Sequence, residues 1–161
     1  MYSGTNQTIL IEAIIPKSTP LVNLAVDAVL IVGYAALTGL SAQAAFYLNP
    51  AVPITGQTFA VLLSGAALGS KRATASMLFY LMAGVSGLPV FAPEGVIAGA
   101  SRGYLLGFVL AAALVGHLVE RGWGRSLIKL LAAMFIGELA IYAVGLTWLA
   151  FYVPLDKVLE Y

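Results

Sequence analysis

Gln57, Arg102 and Glu138 are polar side chains set in apolar surroundings, and they carry most of the chemistry open to this chain. Gln57 follows Val52-Pro53-Ile54-Thr55-Gly56 at the opening of one apolar run; Arg102 follows Ser101 and precedes Gly103-Tyr104 at the opening of another. Pro53 restricts Val52 to extended backbone, which suits a loop entering a helix. Thr55 and Ser101 each offer the hydroxyl that an N-cap uses. Two helix N-termini and a guanidinium on one side of a protein suit a small anion such as a carboxylate, because dipole ends and charge-assisted hydrogen bonds act together there. An unpaired amide is costly in apolar surroundings, so Gln57 faces either a neighbouring helix or a ligand. Glu138 lies near the middle of its run, where a charge costs about 2.5–3.5 kcal/mol on insertion scales. It must point inward, either as a ligand contact or as a structural polar link.

Catalysis is not what these residues suggest. There is no Ser/His/Asp set on one side, no carboxylate pair at a common depth and no cluster of metal ligands. The chain has no cysteine and one histidine, His117, which reads as an interfacial residue beside Glu120 and Arg121. A binding or transport role is expected, with no enzyme activity, no metal and no cofactor. No G-x-x-x-x-G-K-[ST] motif is present, so any ATP-driven movement needs a motor on another chain.

The elements that must position these residues are membrane helices. Of 161 residues, 61% are hydrophobic and 9% charged, against about 25% charged in ordinary globular domains. Such a chain cannot cover a water-exposed surface. Its net charge of +1 gives no electrostatic case for nucleic acid. Apolar runs at about 21–48, 52–68, 73–90, 103–119 and 127–153 are continuous rather than alternating, which excludes barrel strands. Each is long enough, or nearly so, to cross a core of about 30 Å. The expected fold is all-α, a polytopic helical bundle in which residues 1–161 form one integral membrane domain. With the N-terminus in the cytoplasm, Lys17, Lys71, Arg72, Arg121, Arg125 and Lys129 lie inside, and Arg102 and Lys157 outside. The positive-inside rule favours this orientation. It places the starts of the second and fourth runs at the outer face. A sixth span is expected to be missing, because the final residues supply no closing helix.

Several further positions carry two readings each. Gly84 through Gly95 holds three glycines and two prolines besides Phe91, and irregular backbone near a membrane is tolerated where it lines a cavity. Phe91, with Tyr80 about three turns earlier, could supply an apolar wall. Tyr47, Tyr104, Trp148 and Tyr152 read first as belt anchors at the interface. Asp27 lies two turns into the first run and complements a helix N-terminus. Small residues recur four apart, as in Ala35/Gly39, Gly65/Gly69, Gly103/Gly107, Ala112/Gly116 and Ala133/Gly137, a spacing that brings helices close within one bundle or against a partner.

Together the blocks Val52-Pro53-Ile54-Thr55-Gly56-Gln57-Thr58-Phe59-Ala60-Val61-Leu62-Leu63-Ser64-Gly65, Leu68-Gly69-Ser70-Lys71-Arg72, Gly87-Leu88-Pro89-Val90-Phe91 and Gly103-Tyr104-Leu105-Leu106-Gly107-Phe108 resemble the signature of the BioY family. These are the biotin-specific S components of energy-coupling factor (ECF) transporters. The resemblance runs over about Ala25–Tyr152. It implies a six-helix S component in the cell (plasma) membrane that captures biotin outside. Its implied partners are a transmembrane coupling subunit and two cytoplasmic ATPase subunits. It further implies that the loop between the first two helices is a gate and that the loop after the third lines the pocket. The substrate-binding set expected on these grounds is Thr55, Gln57, Tyr80, Phe91, Ser101, Arg102, Gly103, Tyr104 and Glu138. Ala35 and Gly39, standing nearest to the family's Ala-x-x-x-Ala motif, are expected at the partner interface. An S component for another vitamin, and a truncated non-binding membrane interaction protein, are the alternatives.

Overall fold

A computed structural model describes residues 9, 19–46, 52–93 and 99–153. Helix α1 spans Pro20–Gln43, and its proline stands in the first turn, where a missing N–H is no loss. The chain then forms a short antiparallel hairpin: β1, Ala45–Phe46, pairs with β2, Ile54–Thr55, setting Ala45 opposite Thr55 and Phe46 opposite Ile54. Helices α2 (Gln57–Leu68), α3 (Ser70–Val85) and α4 (Arg102–Glu120) follow. A 3-10 turn at Trp123–Arg125 leads into α5, Leu127–Leu149.

Successive helices alternate in direction. The end of α1 and the starts of α2 and α4 therefore share one end of the bundle with the ends of α3 and α5. Side-chain bonds confirm the grouping. Gln43 Nε2 donates to the carbonyls of Pro89 and Phe91, each at 3.4 Å, and the Trp148 indole donates to the Gly99 carbonyl at 3.0 Å.

Helix α4 is the central element. Half of its most apolar stretch is buried (50%), against 11% for that of α1 and 17% for that of α5. It packs on α2, α3 and α5, while α1 lies against α2 and α3. Close approach depends on small residues. A Cβ on Gly107 would press on the Ile141 backbone at 2.9 Å, and one on Gly65 would press on Val115 at 2.8 Å. At the opposite end Gly69, at φ 78°, turns α2 straight into α3, a conformation that favours glycine. Glu120 Oε1 accepts the Ser70 N–H at 2.7 Å, and the negative charge suits the start of α3.

Helices α1, α4 and α5 are long and apolar enough to cross a membrane. The outer faces of α1 and α5 expose Leu24, Val29, Leu40, Ile128, Phe135 and Leu139, as lipid-facing surfaces do. Helix α2 has 12 residues, about 18 Å at 1.5 Å per residue. The runs expected at 52–68 and 73–90 are thus helical only over Gln57–Leu68 and Ser70–Val85. Their remaining ends, 52–56, which holds strand β2, and 86–90, are not helical, and hydropathy alone does not separate such backbone from helix. Asp27 also differs from expectation. Its carboxylate pairs with Arg72 Nε at 2.8 Å, joining α1 to α3 instead of complementing a helix N-terminus.

Candidate functional site

A cavity of about 950 Å³ opens among the helix ends that carry the hairpin. Five segments build its wall. The strand β2 and the first turn of α2 bring Thr55, Gln57 and Thr58; the last turns of α3 bring Leu81, Gly84 and Val85. The loop after α3 brings Phe91, the start of α4 brings Ser101, Arg102 and Tyr104, and α5 brings Ile141, Tyr142 and Trp148.

The polar side is a chain of hydrogen bonds. Thr55 Oγ1 accepts the Gln57 N–H at 3.3 Å and donates to Gln57 Oε1 at 3.0 Å. Gln57 Nε2 donates to the Tyr80 hydroxyl. That hydroxyl donates in turn to the Val90 carbonyl at 3.2 Å. Gln57 is buried, as a polar group with its partners supplied can be. Helix α2 therefore starts one residue later than a Thr55 N-cap implies: Gly56 is the N-cap residue, and the Thr55 hydroxyl still takes the first helical N–H.

The apolar side is aromatic. The Phe91 ring meets Tyr80 edge-on, with centroids 5.4 Å apart at 77°. Gly84 makes room for it, since a Cβ there would lie inside the ring. Tyr104 meets Tyr142 edge-on at 5.9 Å and 88°. Trp148 tilts against Tyr152 at 6.2 Å. Such contacts add about 0.5–1.5 kcal/mol beyond burial and fix ring orientation.

Arg102 is the one charged side chain among the described residues of the lining. Ser101 holds the N-cap position of α4, yet its hydroxyl makes no cap bond. Two early amides are already taken by the turn, Arg102 N by the Gly99 carbonyl at 3.2 Å and Tyr104 N by the Ser101 carbonyl at 3.1 Å. The attraction for an anion at this end accordingly rests on Arg102 and the α4 dipole more than on unpaired N–H groups.

Of the residues expected from sequence, the cavity brings together Thr55, Gln57, Phe91, Ser101, Arg102 and Tyr104. Tyr80 stands behind the wall, buried, and touches Gln57 and Phe91 there. Gly103 lies outside the lining, its Cα pressed beneath the Trp148 side chain. Glu138 is half-buried on α5, one turn from Tyr142, and is not part of the lining. Ala35 and Gly39 face inward, Ala35 at 5% exposure and Gly39 against Val90, rather than outward toward a partner. Trp148 and Tyr142 are cavity walls that sequence reasoning misses. Only the packing of α5 on α4 separates a cavity-facing aromatic from a belt anchor. Gln43 is missed as well, and no pattern in its surroundings marks it as the tie between α1 and the loop after α3.

The comparisons with known proteins agree with this architecture. The chain is 38% identical over 131 residues to the probable biotin transporter BioY of Lysinibacillus sphaericus, a match covering 80% of this chain and 65% of that protein. It is 38% identical to the probable biotin transporter BioY of Pyrococcus horikoshii, covering 77% of this chain and 74% of the other. It is 40% identical to the biotin transporter BioY of Thermotoga maritima, covering 74% and 72%. The match to the first of these relatives thus spans just under two thirds of that protein's length. In fold the chain resembles a crystal structure of the S-component for biotin from an ECF-type ABC transporter, with TM-score 0.75 at 22% identity, covering 89% of this chain and 82% of that one. The described bundle is all-α and of that S-component type, and the protein is a multi-pass membrane protein. A profile described as the BioY family matches residues 15–161, and the chain belongs to that family.

Proposed function

We propose that this chain is the substrate-binding (S) subunit of an ECF-type vitamin transporter and that its ligand is biotin. The observation that carries this reading is one cavity joining Arg102, at the start of α4, to Gln57, at the start of α2, across aromatic walls. Biotin presents an apolar fused ring to such walls, a urea to an amide and a carboxylate to a guanidinium. A charge-assisted bond to Arg102 is worth about 1.5–3 kcal/mol.

In this reading the five helices are five membrane crossings, with the non-helical segments 52–56 and 86–93 completing the second and third. The N-terminus is cytoplasmic and the membrane is the plasma membrane. The cavity faces outward, while Lys71, Arg72, Arg121, Arg125 and Lys129 lie on the inner side, as the positive-inside rule favours. The chain hands biotin inward by docking on a transmembrane coupling subunit driven by two cytoplasmic ATPases.

The test compares biotin with its uncharged primary amide on purified protein in nanodiscs. Arg102→Gln raises the biotin Kd about tenfold and leaves binding of the amide unchanged. Equal biotin affinity in variant and wild type removes the carboxylate seat from the proposal.

A further inference from the structure

The Tyr80 hydroxyl sits at the junction of two structures that the cavity needs. On one side it accepts from Gln57 Nε2, and on the other it donates to the Val90 carbonyl in the loop after α3. Both bonds run in a fixed direction, because the only hydroxyl proton is spent on Val90 and the amide must therefore be the donor to Tyr80. Thr55 completes the arrangement by donating to Gln57 Oε1 at 3.0 Å. The amide is thus held with its nitrogen toward α3 and its oxygen toward β2. A primary amide has two N–H donors and two oxygen lone pairs. One of each is used, so among the described residues one N–H and one lone pair of Gln57 are uncommitted. Gln57 lines the cavity, and this pair suits a ligand group with an acceptor beside a donor, as in a urea or a secondary amide.

We infer that Tyr80 is a positioning residue, which fixes the direction of the Gln57 amide and ties it to the Val90–Phe91 wall. The inference rests on the reading of the cavity as a ligand site and names the part of that site which would receive a urea. Two contacts make the position suited to this task. Tyr80 is 1% exposed, so water does not compete for its hydroxyl. Its ring also meets the Phe91 ring in a T-shaped contact, so one side chain sets both the polar and the aromatic wall. The loop carbonyls on either side, those of Pro89 and Phe91, are held independently by Gln43, which leaves the Val90 carbonyl to Tyr80.

Tyr80→Phe isolates the hydroxyl, because the ring and its contact with Phe91 are retained. Two measurements judge it. The first is hydrogen–deuterium exchange of segment 86–93 without ligand, where the variant is expected to exchange faster than wild type while α4 is unchanged. The second is a double-mutant cycle for biotin binding. Tyr80→Phe is expected to raise Kd about tenfold, Gln57→Ala by at least as much, and the double variant to bind as Gln57→Ala does. Additive losses in the cycle overturn the inference, because a residue that only supports the core does not act through Gln57. Unchanged exchange in segment 86–93 also overturns it. If wild type ignores biotin, the functional reading fails separately, and the exchange measurement still decides whether Tyr80 holds the wall.

Discussion

At Gly84 the space that a methyl group would need is filled by the Phe91 ring. The last full turn of α3 therefore fixes an aromatic wall through what it lacks. Gly84→Ala is expected to push Phe91 out of place and raise the ligand Kd about tenfold, with little change in thermal unfolding, since the ring lies on a loop and can move. Titration calorimetry beside a melting curve checks both parts. At the other end the Asp27–Arg72 pair joins two helices at 2.8 Å while both side chains stay partly exposed. Asp27→Asn is expected to cost about 1 kcal/mol or less, read as a small drop in the detergent melting temperature. The residue types at the site are legible in the sequence. Gln57, Ser101 and Arg102 stand out because they interrupt apolar composition where runs begin. Tyr80 is legible as an aromatic but not as a hydroxyl bridge, since a partner 23 positions away leaves no mark on local pattern.

Among the elements, the corner between α2 and α3 depends on the approach of α4. A Cβ on Gly116 would fall among backbone atoms of Gly69 and Ser70, which cannot give way as a flexible side chain does. Gly116→Ala is expected to destabilise the bundle by about 1–3 kcal/mol, seen as a lower melting temperature with the biotin affinity of the folded fraction unchanged. The helices themselves are readable from runs of apolar residues, and α4 and α5 begin within a residue of where those runs begin. The second and third elements come out too long in the sequence because 52–56 and 86–90 are as apolar as the helices beside them. The hairpin Ala45–Phe46 with Ile54–Thr55 is not legible, for two residues on each strand are too few for a period. Close packing does fall at Gly65, Gly107, Gly116 and Gly137, four of the small residues that recur at that spacing, while Gly87 meets nothing within 4 Å. Whether Gly39 faces inward or toward a partner depends on the loop carrying Val90, which only folds against it in three dimensions.

The whole molecule is a membrane bundle whose cavity-bearing end is less regular than its opposite end. Non-helical backbone lines the cavity at that end, through Val52, Pro53, Ile54, Thr55, Phe91 and Ala92. A guanidinium, an amide and aromatic rings are brought to that cavity by different helices, so its lining is complete only when the bundle is assembled. The most direct measurement is titration calorimetry of biotin into the purified wild-type chain in nanodiscs. Saturable one-to-one binding of biotin, with valerate binding far more weakly, is the expected result. No heat from biotin up to about 1 mM, where binding free energy is weaker than about 4 kcal/mol, would contradict the proposed role.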